Sequence, residues 1–368
     1  MSPNTGGGAW CRSVLKALAN FGFSGPVWHV HPTADGAFRA VSDLPAAPDA
    51  CFIGVNRNAT IDCLRTLSEK GAGGAVCFAS GFAETGDGAV FNAGLIEAAG
   101  DMAIVGPNCY GFVSALDTVA LWPDVHGLVP VTSGVAILTQ SSNIALNLSM
   151  QKRGLPIGFL GTAGNQAQTG LSTMAQHLLC DPRITALGLH IEGVGDLNAL
   201  QALMVEAHRL GKPVIALKSG RSEAAQTAAL SHTASLAGSD AGANALFARL
   251  GILRVQSLDA LIEALKHAHL YGRVDAGEIA SLSCSGGEAS LMADGGEARG
   301  LGFARLTPEQ DAALESELGP LVTRANPLDY HTFIWNDLSN MAKVYTIMAC
   351  GPAALTVIVV DMPRADRC

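Results

Sequence analysis

Charge and aromatic residues are scarce in this chain: of 368 residues, 15% are Asp, Glu, Lys or Arg and 5% are Phe, Trp or Tyr. Acidic residues (32) outnumber Lys and Arg (23), and no basic run or basic amphipathic stripe occurs. Without such a stripe there is no footprint for a phosphate backbone, so neither nucleic acid nor a membrane surface is an expected partner. Long apolar runs are absent too. The most apolar stretch, ALTVIVVDM at 354–362, has the length of a strand and falls well short of a bilayer span. The opening MSPNTGGGAW lacks the basic and apolar regions of a secretion signal. Nine cysteines are scattered without a CxxC pair, and the histidines are dispersed, so no metal site is expected. An odd number of separate thiols fits a reducing compartment, and the expected location is the cytoplasm.

What the chain has instead is glycine (42) and small aliphatic residues. That is the composition of α/β layers, in which helices bury both faces of parallel strands. Apolar runs alternate with helix-period segments. The first series is GPVWHVHP (25–32), DACFIGV (49–55), GGAVCFAS (73–80) and DMAIVGPN (101–108), with NATIDCLRTLSEKG (58–71) as a helix between. LWPDVHGLVP (121–130) reads as a linker. A second series follows: SGVAILTQ, LPIGFLGT, ITALGLHIEG, KPVIALKSG and GILRVQS; a third runs from EIASLSCSGG to TVIVVDMP. The expected architecture is three doubly wound parallel-sheet domains at about 1–128, 129–275 and 276–368.

Ligands of open parallel sheets gather at the carboxyl ends of the strands. In the first domain those ends carry HPT (31–33), SGF (80–82) and GPNCYG (106–111); in the second, TQSSN (139–143), GTAGNQA (161–167), IEGVGD (191–196) and KSGRS (218–222). The triplet Gly6-Gly7-Gly8 resembles a dinucleotide turn but is not GxGxxG and follows only five residues; a glycine-rich tail is the alternative. Ser141 or Ser142 is a helix N-cap, which by itself needs no function, although a helix N-terminus also offers N–H groups to an anion. Glu192 ends an apolar strand, where it faces either a ligand crevice or solvent. His232 lies among small residues in ALSHTASLAGSD (229–240), where something large can approach it. Taken together, a neutral imidazole, a carboxylate to fix its tautomer, and helix N-termini to hold oxygens are what a phosphoryl group carried on histidine requires.

The stretch KPVIALKSGRSEAAQTAALSHTASLAGSDAGANALFARLGILRVQSLDALIEAL closely resembles the NDP-forming acyl-CoA synthetases, a superfamily that includes ADP-forming acetyl-CoA synthetase and the succinyl-CoA synthetase α subunit. SHTASLAG is similar to that superfamily's phosphohistidine loop, HIEGVGD to the strand end whose glutamate pairs with the histidine, and NPLDY (326–330) to a turn of its third domain. GPNCYG, SGF and HPT resemble its CoA-binding turns. The resemblance implies a Rossmann-like CoA-binding domain followed by two flavodoxin-like ligase domains. It implies His232 and Glu192 as catalytic residues, and Ser141, Ser142, Asn143, Gly164, Asn165 and Gln166 as phosphate-binding residues. Gly6, Gly7, Gly8, Pro32, Thr33, Ser80, Gly81, Asn108 and Cys109 would meet CoA. The implied reaction is acid + CoA + NTP ⇌ acyl-CoA + phosphate + NDP, through an acyl phosphate and a phosphohistidine. ATP or ADP and Mg²⁺ would sit on a partner ATP-grasp portion, and the implied partners are a small carboxylic acid or its acyl-CoA, that portion, and further copies in an oligomer. A non-catalytic CoA- or acyl-CoA-binding regulatory module is the alternative.

Several positions depart from the superfamily's pattern. Gln168 stands where an acidic residue is common, GVNRNAT (54–60) replaces a proline-containing turn, and Thr33 replaces a basic residue. No ATP-grasp region is recognisable. The first strand of the CoA domain is also not recognisable, which predicts a gap at the centre of its sheet, and the third domain stops at a strand, so the chain reads as a fragment.

Overall fold

The computed structural model describes residues 6–82, 85–222, 224–225, 239–274 and 277–360. The chain divides into two compact units, Met1–Arg273 and Val274–Cys368.

The first unit starts with helix α1 (Gly6–Phe21), followed by β1 (Cys51–Ile53), α2 (Arg57–Lys70), β2 (Gly74–Cys77), α3 (Gly88–Ala99) and β3 (Ala103–Val105). α2 shows how locally these elements are specified. Asn56 caps it by accepting from the Ala59 N–H, Thr60, Leu64 and Leu67 are buried along one face, and Gly71 ends it in the left-handed conformation at φ 79°. The strands form a parallel sheet in the order β1-β2-β3. Among the described residues β2 is central, and β1 and β3 are its edges. Segment 25–32 is not a strand. It makes a single bridge, Val30 to Phe38, and no residue in it is fully buried. An apolar run becomes a strand only where a neighbour takes up its backbone groups and a core takes its face, and neither is present here.

The chain then enters a second sheet sooner than the expected linker allows. β4 (Phe112–Ser114) and β5 (Val119–Leu121) precede β6 (Gly134–Thr139), α4 (Ser142–Ser149), β7 (Ile157–Thr162), α5 (Leu171–Leu179), β8 (Ile184–Ile191), α6 (Leu197–Leu210) and β9 (Val214–Lys218). Helix Asp240–Leu250, β10 (Leu253–Val255) and helix Leu258–Tyr271 complete the unit. The order is β10-β9-β8-β6-β7-β4-β5, with five parallel strands and an antiparallel pair, β4 and β5, at one edge. β6 is buried along its whole length, and β8 everywhere but Thr185, because helices cover both faces. Trp122, in the segment read as a linker, is fully buried with Phe21, Leu128 and Leu148. Val14 and Leu18 of α1 pack with Val76 of β2 and Leu121 of β5, so α1 ties the two sheets into one body.

In the second unit β11 (Ile279–Ser283) lies between β12 (Leu328–Asp329) and β13 (Leu355–Ile358) in a parallel sheet. Asn326, the first residue of NPLDY, is a clasp. Its amide accepts from the Ser281 N–H and donates to the carbonyls of Ile279 and Ala304. Among the described residues no helix is long and apolar enough to cross a membrane, and no group of His, Cys, Asp and Glu could hold a metal ion.

Candidate active site

The parallel strands of the first unit present their carboxyl ends to a common set of loops. After β6, Ser141 caps α4 by accepting from the Ile144 N–H at 3.4 Å, and Asn143 lies exposed in the first helical turn. Ser142 Oγ accepts from the Tyr110 N–H at 3.1 Å, which joins this helix start to the 106–111 turn of the first sheet. The N–H groups of a helix's first turn have no intrahelical carbonyl partners, so this end is suited to an anion.

After β7, Gly164 has φ +53°, and a Cβ there would collide with the carbonyl oxygens of Pro107 and Asn108. Only glycine permits that approach. The Asn165 N–H donates to Pro107 O and that of Ala167 to Gly106 O, both at 2.9 Å. Gln166, at φ 56°, turns its side chain inward to accept from the Leu171 N–H at 2.7 Å, so it caps α5. Gln168 donates to the carbonyls of Gly100 and Met102 and accepts from the Ile104 N–H. An acidic side chain could accept there but not donate, so this departure from the superfamily's pattern serves the join between β3 and the 162–168 turn.

After β8 comes Glu192, half-buried. Its N–H and that of Gly193 donate to Gln140 Oε1, while Gln140 Nε2 donates to Gly193 O at 2.8 Å. Lys218, the last residue of β9, is 2% exposed; burial lowers the pKa of its amine, while the carboxylates of Asp240 and Glu192 raise it. His190 is 4% exposed, its Nδ1 has no hydrogen-bond partner, and burial, with help from the Lys218 charge, depresses its pKa to about 4. It is therefore a neutral imidazole at any ordinary pH. His232 lies outside the described residues.

The first sheet's turns are more open. Pro32 and Thr33 are exposed, in a turn where His31 Nδ1 accepts from the N–H groups of Thr33 and Ala34. Ser80 and Asn108 are exposed, and the Asn108 N–H donates to Ala79 O at 2.9 Å. Gly81 O accepts from Arg57, whose guanidinium also forms a two-bond fork with Asp87 and lies 3.7 Å over the Phe91 ring. Cys109 is buried, and burial pushes its thiol up to about 12, so it is not a nucleophile. Gly6, Gly7 and Gly8 begin α1 and so lie in a helix rather than in a glycine-rich tail. One turn on, Trp10 packs against Phe78 and Tyr110, so the start of α1 stands beside the ends of β2 and β3.

The structure thus brings together the helix start at 141–143, the 164–166 turn, Glu192 and the 106–111 turn, all within one unit. Sequence reasoning missed Gln140 and Arg57. Gln140 lay at the end of a run read as a strand and Arg57 in a stretch read as a turn, and the signal was weak: a long polar side chain beside a strand end.

Residues 4–115 match the CoA binding domain family, and residues 132–268 match the succinyl-CoA ligase like flavodoxin domain family. A trans-feruloyl-CoA synthase of an unknown prokaryotic organism is 28% identical over 93% of this chain and 50% of its own length. The α subunit of an ADP-forming acetate–CoA ligase II from Pyrococcus furiosus is 31% identical over 80% of this chain and 64% of its own length. The chain therefore spans half to two thirds of the length of these two relatives. The apo dinucleotide-forming acetyl-coenzyme A synthetase 1 of Ca. Korarchaeum cryptofilum superposes with a TM-score of 0.85 at 23% identity, covering 97% of this chain and 78% of that one, a likeness of fold.

Proposed function

We propose that the chain is a member of the NDP-forming acyl-CoA synthetase superfamily, as its matches to the CoA binding domain and succinyl-CoA ligase like flavodoxin domain families support, and that it is the α-type portion of an acid–thiol ligase that interconverts acyl-CoA, phosphate and NDP with acid, CoA and NTP. The observation that supports this best is the junction of the two sheets, where Ser142 meets Tyr110 and Asn165 meets Pro107. It sets the 106–111 turn of the CoA-type domain, where Asn108 is exposed, beside two small-residue turns and a strand-end carboxylate.

In the acyl-CoA-consuming direction, a phosphate oxygen attacks the thioester carbonyl; the C–O bond forms, the C–S bond breaks and CoA leaves as thiolate. The resulting acyl phosphate meets the neutral imidazole of His232, whose nitrogen takes the phosphoryl group as the P–O bond to the carboxylate breaks. The Ser141–Asn143 helix start and the Gly164–Gln166 turn hold the phosphate oxygens, and Glu192 offsets the charge that develops on the imidazole. Phosphohistidine then passes its phosphoryl group to NDP on an ATP-grasp portion, fused or separate, which also binds Mg²⁺. Exposed Pro32, Thr33, Ser80 and Asn108 and half-buried Gly81 fit contact with CoA, with Gly6–Gly8 at the neighbouring helix start. We extend the proposal to a cytoplasmic location and an oligomeric assembly. The relatives' names differ in their acid, so a carboxylic acid is proposed without choosing one.

The test is transfer of label from γ-³²P-ATP to the chain, mixed with the nucleotide-binding half of a relative. Acid-labile label on the wild type and none on His232→Ala is expected. Equal labelling of both proteins sinks the role of His232. CoA binding without any labelling returns the chain to a regulatory module.

A further inference from the structure

We infer that Gln140 is the positioning residue of Glu192, holding the carboxylate's turn in register with the end of the sheet; the inference rests on the role proposed above for Glu192. The backbone pairing of β6 with β8 ends at Thr139 and His190, and the Gln140 N–H still reaches His190 O at 3.3 Å. Beyond that point β8 turns away, and the side chain of Gln140 takes over as a further rung of the ladder. Its Oε1 accepts from both the Glu192 and the Gly193 N–H groups, the latter at 2.9 Å, and its Nε2 donates to Gly193 O at 2.8 Å. With two donors facing one amide atom and a carbonyl facing the other, the amide has a single orientation. One side chain thus satisfies three backbone groups of a two-residue turn.

No other side chain fits these demands equally. Asparagine is a methylene shorter, glutamate cannot donate to Gly193 O, and lysine or arginine cannot accept from the two N–H groups. The other flank of the turn is held by the backbone, where the Ser219 N–H donates to Ile191 O at 3.0 Å. Glu192 therefore leaves a support fixed from both neighbouring strands, and the N–H it gives to Gln140 sets the direction of its Cα–Cβ bond. A carboxylate that must meet an imidazole within hydrogen-bond reach loses rate steeply when its base shifts, whereas the same bonds in a purely structural turn would affect only stability.

A double-mutant cycle on the labelling reaction separates these cases. Full-length wild type, Gln140→Met, Glu192→Gln and the double variant are each mixed with the same nucleotide-binding half and γ-³²P-ATP, and the rate of acid-labile labelling is measured with CoA affinity and thermal midpoint. The expected result is that Gln140→Met slows labelling about tenfold with CoA affinity unchanged. The double variant should then be no slower than Glu192→Gln alone. If both single variants are slow and their effects multiply, Gln140 does not act through Glu192 and the inference falls while the role of Glu192 stands. If Glu192→Gln labels like wild type, the underlying reading fails instead, and this inference with it. Should Gln140→Met not fold, Gln140→Glu keeps both N–H acceptors and loses only the donor to Gly193 O; unchanged labelling by that variant, with Glu192→Gln slow, also overturns the proposal.

Discussion

The two sheets of the first unit place their carboxyl ends side by side but are built differently. β6, β7, β8 and β9 run for five to eight residues, and helices bury most of their positions, β6 along its whole length. β1, β2 and β3 are three or four residues long, and half-buried positions such as Cys51, Phe52 and Gly74 interrupt them. The loops differ to match. After β6 and β8, a turn is locked by an amide that prolongs the backbone ladder. After β2, the loop depends on the half-buried guanidinium of Arg57 and on the exposed Asp87 carboxyl, which the Arg57 hydrogen bonds hold at about 2. The lesson is one of stiffness: the proposed phosphate chemistry stands on a rigid platform, and the proposed CoA turns stand on an adaptable one.

The contrast can be broken most decisively at the carrier. His232→Ala should abolish acid-labile phosphorylation and leave CoA affinity within about twofold, because the two ligands are proposed to meet different sheets; a parallel loss of CoA binding, seen by calorimetry, would mean that the sites are not separate. Glu192→Gln should slow phosphorylation by about ten- to a hundredfold, since a neutral amide cannot offset the imidazolium charge. Rapid-quench labelling measures it, and a rate equal to wild type returns Glu192 to an ordinary strand-end acid.

Two further measurements sharpen the difference in stiffness. Leu138→Ala, in a side chain with no exposed surface, should cost about 2–5 kcal/mol of unfolding free energy, and urea titration with a loss below about 1 kcal/mol would contradict a tightly packed β6. The smallest effect concerns pH. Burial keeps His190 neutral with a pKa of about 4 against the ordinary 6.5, so the unfolded chain takes up a proton that the folded chain refuses. Stability should therefore fall as pH drops from 6.5 towards 4, by about 3 kcal/mol from this group, and by no more below that. His190→Leu should flatten that part of the curve relative to wild type; superimposable curves would show that His190 is not held neutral by the fold.

Legibility followed the range of the forces involved. ITALGLHIEG and SGVAILTQ could be read as strands because a parallel strand buried on both faces must be apolar throughout. α2 could be read because Asn56, Leu64, Leu67 and Gly71 carry its cap, face and stop within one short stretch. GPVWHVHP was misread because its apolar pattern promises a strand only if another strand lies alongside. The antiparallel pair β4 and β5 was missed because its partner, β7, lies more than forty residues away.

The candidate site divides in the same way. The sequence by itself determined which residue types stand at the strand ends: small hydroxyl residues and glycines at two turns, a carboxylate after an apolar strand, and a histidine among small neighbours. Such patterns are local and follow from strand and cap chemistry. Only the tertiary structure decided which ends meet. It set Gly164 against Pro107, turned Gln166 and Gln168 into backbone partners, buried the Cys109 thiol, and gave Gln140 the turn that carries Glu192. An amide carries no mark of its partner in the sequence. It acquires one only when two strands distant along the chain become neighbours and leave a few backbone groups, cut off from water, that must be satisfied.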